Sequence, residues 1–170
     1  MKRTVILSAF LLSLCLGFSQ SANKLVIDKK GHEMLLGSIS KTDLTTNSFK
    51  TWFSKNHNTY LTNKSIIKQL KDSLNQYSIK VFLGTWCGDS RREVPRFYKV
   101  IEAAKFPESQ LQVIAVNRTS EAYKQSPNGE EKGLNIHRVP TFIFYKNGKE
   151  INRIVEYSKL YSSKPFKLFT

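Results

Sequence analysis

Residues 79 to 116 constrain the fold more than any other stretch of the chain. Ile79–Leu83 is a short, largely apolar run, β-branched at two positions, that reads as a buried strand ended by Gly84 and Thr85. Val94, Phe97, Tyr98, Ile101 and Ala104 then fall on one face of a helix. Leu111 to Val116 is a second strand. A helix between two strands implies a parallel pair with a right-handed crossover, because parallel strands need a long connection that packs back on the sheet. Thr141 to Tyr145 and Ile151 to Val155 are two further strands joined around Asn147-Gly148, the strongest short signal for an antiparallel hairpin.

The N-terminal half adds elements to this frame. Leu25-Val26-Ile27 and Met34-Leu35-Leu36 flank Lys29-Lys30-Gly31 and predict a short hairpin. Leu44, Phe49, Trp52 and Phe53 fall at roughly helical spacing. Ile66, Ile67, Leu70, Leu74 and Tyr77 form a cleaner helical stripe with Thr62 or Asn63 as its cap. These apolar positions read as core. Residues 119 to 133 are polar, with Pro127 and Gly129, and read as a loop with one short helix. From residue 78 on, the order is strand, helix, strand, helix, strand, strand: an α/β fold with a central mixed sheet flanked by helices.

The first residues read as a leader. Lys2 and Arg3 are followed by an apolar stretch from Val5 to Phe18, with Gly17 and Ser19 as small residues before a cut at Ser19/Gln20. The run is short for a membrane span; an uncleaved anchor is the alternative. A lipoprotein reading of Cys15 is weakened by Leu14, since a small residue usually precedes such a cysteine. The expected organisation is a signal peptide over 1–19, an N-terminal extension over 20–77 packing on the core, the core over 78–157 and a tail over 158–170. The tail has a weak helical pattern and contains Pro165, so a closing helix would be short or absent. Cleavage would remove Cys15 and leave Cys87 as the one cysteine, without an internal disulfide partner in an oxidising compartment.

The sequence carries a formal net charge of +14. Losing Lys2 and Arg3 would leave +12. Such a charge favours acidic partners, but the lysines are scattered and no nucleic-acid motif accompanies them. A content of 40% hydrophobic and 24% charged residues argues against disorder. No Cys/His spacing suggests a zinc site. His32 falls in a turn, His57 ends a helical stretch, and His137 lies before Val139-Pro140 as a groove-lining residue, with a general-base role as the alternative.

Cys87 therefore carries the chemistry. It follows a strand and opens a helix, where unsatisfied backbone N–H groups and the positive end of the macrodipole favour a thiolate. Arg91 and Arg92 are expected to depress its pKa further, opposed in part by Asp89. Trp86 would shield one side of the sulfur, and Gly88 would leave the backbone open to an incoming disulfide. Ser90, one helical turn on, would donate a hydrogen bond to the thiolate but could not resolve a mixed disulfide.

Trp86-Cys87-Gly88-Asp89-Ser90 resembles the active-site segment of thioredoxins with the second cysteine replaced by serine. Pro95 matches the proline that kinks their active-site helix, Val139-Pro140-Thr141 resembles their cis-proline segment, and Phe142 to Lys149 resembles the strand and hairpin that follow. With its leader and Cys-Gly-Asp-Ser form, the chain is similar to exported thioredoxin-like proteins of Bacteroidetes-type bacteria. The resemblance implies a thioredoxin-like fold over residues 78 to 157, a location in the periplasm or cell envelope of a Gram-negative bacterium, and a monomer. It also implies thiol–disulfide exchange through Cys87 and Ser90, with protein or peptide thiols and disulfides, and a low-molecular-weight thiol, as partners. Trp86, Gly88, Asp89, Arg138, Val139 and Pro140 would meet the substrate. No cofactor or metal, no specific nucleic acid and no membrane span after leader removal is expected. Where thioredoxins carry a buried acid, six residues before the cysteine, this chain has Val81. Monothiol isomerase-like or external-thiol-dependent reductase action is the leading reading. A non-catalytic polypeptide-binding module and a peroxide-reactive thiol are the others.

Overall fold

The computed structural model describes residues 24–155. The leader, Cys15 and the tail over 158–170 lie outside them. β1 (Lys24–Ile27) and β2 (Glu33–Ile39) form the expected hairpin, with Val26 opposite Met34. Its turn is closed by the Asp28 carboxylate, which accepts from the backbone N–H groups of Lys30 at 2.8 Å and His32 at 3.0 Å. Gly31, at φ 80°, supplies the left-handed residue that the turn needs.

The helical spacing from Leu44 to Phe53 is broken in two. α1 (Lys41–Leu44) begins at a capping box, in which Ser40 and Asp43 satisfy each other's backbone N–H groups. A single 3₁₀ turn over Asn47–Phe49 then leads into α2 (Lys50–Thr59). Leu44, Phe49 and Phe53 are all buried, so the apolar positions serve the core although one helix does not carry them. α3 (Lys64–Ser73) is capped by Asn63, whose side chain accepts from the N–H groups of Ser65 and Ile66. Leu74 lies in the 3₁₀ turn that follows, and Tyr77 lies beyond it.

β3 (Ser78–Leu83), α4 (Gly88–Ala103) and β4 (Leu111–Ala115) make the predicted crossover, and the two strands pair in parallel with Val81 opposite Val113. β5 (Thr141–Lys146) runs antiparallel to β3, and β6 (Lys149–Val155) antiparallel to β5. Asn147 and Gly148 sit at φ 52° and 75°, as a two-residue hairpin turn demands. The short helix expected in the loop between β4 and β5 is present in 3₁₀ form. That segment holds a 3₁₀ turn over Ser120–Ala122 among the described residues, because Pro127 and left-handed Gly129 and Gly133 interrupt any longer run.

The six-stranded sheet has the order β1-β2-β4-β3-β5-β6. The N-terminal hairpin is thus part of the sheet: β2 pairs antiparallel with β4, Ser38 opposite Ile114. Alternation along β3 divides the interior. Ile79, Val81 and Leu83 join the larger cluster, which takes in α2, α3 and α4, and Phe82 joins a smaller one with Ile114, Val139 and Ile143. Burying large apolar side chains this way stabilises the fold by roughly 1.5–3 kcal/mol each.

Candidate functional site

The site forms where β3 gives way to α4. A turn joins the Cys87 N–H to the Gly84 carbonyl at 2.8 Å, and the Cys87 carbonyl accepts from the Arg91 N–H at 3.0 Å to start the helix. Cys87 is the N-cap residue of this 16-residue helix, with extended backbone and no side-chain capping bond. Its half-buried thiol donates instead to the Val139 carbonyl at 3.3 Å. The Val139–Pro140 peptide bond is cis. Residues 52 positions apart therefore meet at one sulfur.

Trp86 stands beside the thiol. Its indole N–H donates to the Val116 carbonyl at 2.9 Å, and the ring lies against Gly84. A Cβ at Gly84 would come within 2.6 Å of the indole, so the glycine is required by close packing. Gly88 is the opposite case: a Cβ there would meet nothing within 4 Å, and the backbone beside the thiol is open. Val139 and Pro140 are buried and Arg138 is exposed. The Arg138 carbonyl accepts from the Thr141 hydroxyl at 2.7 Å, which fastens the segment next to Cys87.

Two expectations change. Ser90 is fully buried, and its hydroxyl accepts from the Gly84 N–H at 3.2 Å. It shapes the Gly84–Cys87 turn and makes no hydrogen bond to the sulfur. The basic pair is also engaged elsewhere. Arg91 Nε donates to the Thr85 carbonyl at 2.6 Å. Arg92 pairs with Asp89 and Glu93, both at 2.6 Å, so its charge is met by two carboxylates, and Asp89 is met by Arg92. Local carboxylates and a carbonyl are the nearer partners for these guanidinium groups.

Three contributors escape sequence reasoning. Thr85, fully buried, accepts from the Leu35 N–H at 3.1 Å and ties the N-terminal hairpin to the site. Asn56 of α2 donates to the Arg91 carbonyl at 3.1 Å. Pro95 has no N–H, so it cannot give that carbonyl its helical partner, and Asn56 supplies the bond instead. Tyr123 places its ring 5.7 Å from that of Trp86. No local pattern marks any of the three, since their partners lie 35 to 50 residues away. Val81, where an acid would stand in thioredoxins, is fully buried in the larger cluster. His57 is committed to Glu102 at 2.9 Å, and His137 is exposed with its carbonyl accepting from Lys124. Among the described residues no three His, Cys, Asp or Glu side chains gather as a metal site, and no helix is long and apolar enough to cross a membrane.

A cysteine at the strand-to-helix turn of a mixed sheet, facing a cis Val–Pro segment, places the chain in the class of thioredoxin-fold proteins. Residues 57–162 match the family model described as Thioredoxin, and the chain belongs to the thioredoxin family. It is 31% identical over 85 residues to Thioredoxin H2-2 of Oryza sativa subsp. japonica, covering 50% of this chain and 56% of that protein. It is 30% identical over 87 residues to a thioredoxin of Geodia cydonium, covering 51% and 73%. The solved structure of thioredoxin O2 from Arabidopsis thaliana in its oxidized state aligns at 20% identity with a TM-score of 0.35, over 65% of this chain and 76% of that one. The chain spans little more than half the length of the Oryza relative.

Proposed function

We propose that this chain is an exported, monothiol thiol–disulfide exchange protein acting on protein or peptide disulfides. The observation that carries the reading is the position of Cys87: a half-buried thiol at the start of α4, hydrogen-bonded to Val139 and flanked by open backbone at Gly88. Family membership supports redox chemistry at this sulfur. The Cys87 thiolate attacks one sulfur of a substrate disulfide. The Cys87–substrate S–S bond forms, the substrate S–S bond breaks, and the departing thiolate takes a proton from water. Ser90 cannot resolve the mixed disulfide, so a second substrate thiol or a low-molecular-weight thiol attacks it and releases Cys87. The first route forms a new disulfide within the substrate and is isomerisation; in the second, a further small thiol attacks the substrate–small-thiol disulfide, so that the substrate leaves as a dithiol and the two small thiols as their own disulfide, which is thiol-dependent reduction. The leader and the Cys-Gly-Asp-Ser form support placement in the periplasm or envelope of a Gram-negative bacterium.

The test is turnover of a disulfide-bonded protein with a small thiol present. The chain should accelerate reduction or reshuffling, and Cys87→Ala should abolish the acceleration. No acceleration over the small thiol alone would remove the proposal. The engagement of Arg92 by Asp89 and Glu93 favours a second reading, a non-catalytic polypeptide-binding module at Trp86, Val139 and Pro140. On that reading Cys87→Ser leaves partner binding unchanged.

A further inference from the structure

The loop after β4 builds an aromatic and cationic ledge beside the thiol. Its ends are closed on each other: the Asn117 N–H donates to the Gln125 carbonyl at 2.9 Å and the Lys124 N–H to the Asn117 carbonyl at 2.8 Å. Arg118 pins it to the hairpin turn through Asp28 at 3.0 Å. In this fastened loop Tyr123 is 52% exposed, although its ring is tilted against Trp86 at 5.7 Å. The next residue, Lys124, holds a left-handed backbone at φ 59°, a conformation that costs a non-glycine residue energy and gathers at functional sites. Its ammonium sits 4.7 Å from the Tyr123 ring centroid and donates to the His137 carbonyl, two residues before Val139. One cation thus joins the aromatic pair to the segment that meets the sulfur.

Lys124 gives this ledge a positive charge. Of the loop's carboxylates, Glu131 accepts from Ser126 and Glu130 from Asn128. Asp89 is held by Arg92.

We propose that Tyr123 and Lys124 form with Trp86 a specificity ledge for disulfide-bearing polypeptides with an acidic residue close to the reacting cysteine. The Trp86–Tyr123 rings take an apolar or aromatic side chain of the substrate, and Lys124 takes its carboxylate. This rests on the exchange reading for Cys87 and names the substrate class of that same site.

The experiment compares three substrates: a disulfide-bridged peptide with glutamates beside its cysteines, the same peptide with lysines, and bis(2-hydroxyethyl) disulfide. The wild-type chain should prefer the glutamate peptide, and the preference should shrink with added salt. Tyr123→Ala should lower the ratio of kcat/KM for the glutamate peptide to that for the small disulfide by roughly 3- to 10-fold, through KM, with Tyr123→Phe restoring most of it. Lys124→Gln should cut the glutamate-over-lysine preference by roughly 2- to 5-fold. Equal losses on peptide and small disulfide, or no acidic preference, overturn the ledge. Anisotropy titration of a labelled glutamate peptide with its cysteines replaced by serine separates the two readings. If wild type binds it and Tyr123→Ala weakens binding while no disulfide is exchanged, the ledge stands and the exchange reading fails. If wild type does not bind it and shows no preference, the ledge falls.

Discussion

Pro95 and Asn56 are expected to be energetically coupled, although they lie on different helices. Pro95 leaves the Arg91 carbonyl without its helical N–H, and the Asn56 side chain fills the vacancy at 3.1 Å. Arg91 and Asn56 are both only partly exposed, so Asn56→Ala strands a polar group that water reaches poorly. A stranded partner of this kind costs about 1–3 kcal/mol; partial exposure places this case near the low end, about 1–2 kcal/mol. At roughly 2–4 °C per kcal/mol for a chain of this size, Tm should fall by about 2–8 °C. Pro95→Ala returns an N–H to position 95, and that N–H satisfies the Arg91 carbonyl within the helix. In the Pro95→Ala background, Asn56→Ala should therefore cost less than half as much. A double-mutant cycle by urea denaturation measures the difference. Equal losses in both backgrounds would refute the assignment, because Asn56 would then act through packing or through its second bond, to Trp52 at 2.9 Å.

Gly84→Ala forces a methyl to within 2.6 Å of the Trp86 ring; displacement of the indole should cost about 1–3 kcal/mol and shift tryptophan emission to the red, and an unchanged spectrum with unchanged Tm would count against that packing. Ser90→Ala removes the acceptor of the buried Gly84 N–H and should destabilise by about 1–3 kcal/mol, whereas a hydroxyl that only faced a thiolate would cost stability little when removed. Burial raises the Glu102 carboxyl, but its bonds from Lys41 and His57 outweigh this and hold it below its ordinary 4.5. A carboxylate with a depressed folded pKa stabilises above its unfolded pKa and loses that contribution as pH falls. The stability gap between wild type and Glu102→Gln should thus be full at pH 7 and close below about pH 4.5; denaturation at pH 7, 5 and 3 checks it, and a gap that widens on acidification overturns it.

The elements were legible because their signals are local. Short apolar runs marked β3 and β4 and helical spacing marked α4, Asn147-Gly148 marked the β5–β6 hairpin, and Asn63 capped α3 as one of two candidates. The position of Cys87 at a helix start follows from the same patterns. Local spacing misled where it joined Leu44 to Phe53 in one helix, since a 3₁₀ turn at Asn47–Phe49 brings the same residues to the core. Pro127 and Gly129 marked the loop after β4, whose one short helix is the 3₁₀ turn over Ser120–Ala122.

By itself the sequence determined the placement of the Cys87 sulfur at a helix start and the crossover that presents it, because strand, turn and helix are each specified by neighbours in the chain. Only the tertiary structure decided what surrounds that atom. Whether Ser90 meets the sulfur or Gly84, whether Arg92 meets Cys87 or Asp89, and which side chain serves the carbonyl orphaned by Pro95 are choices among competing partners of similar strength. A hydrogen bond or ion pair goes to whichever group packing brings within about 3 Å, and for Thr85, Asn56 and Val139 that group lies 35 to 52 residues away.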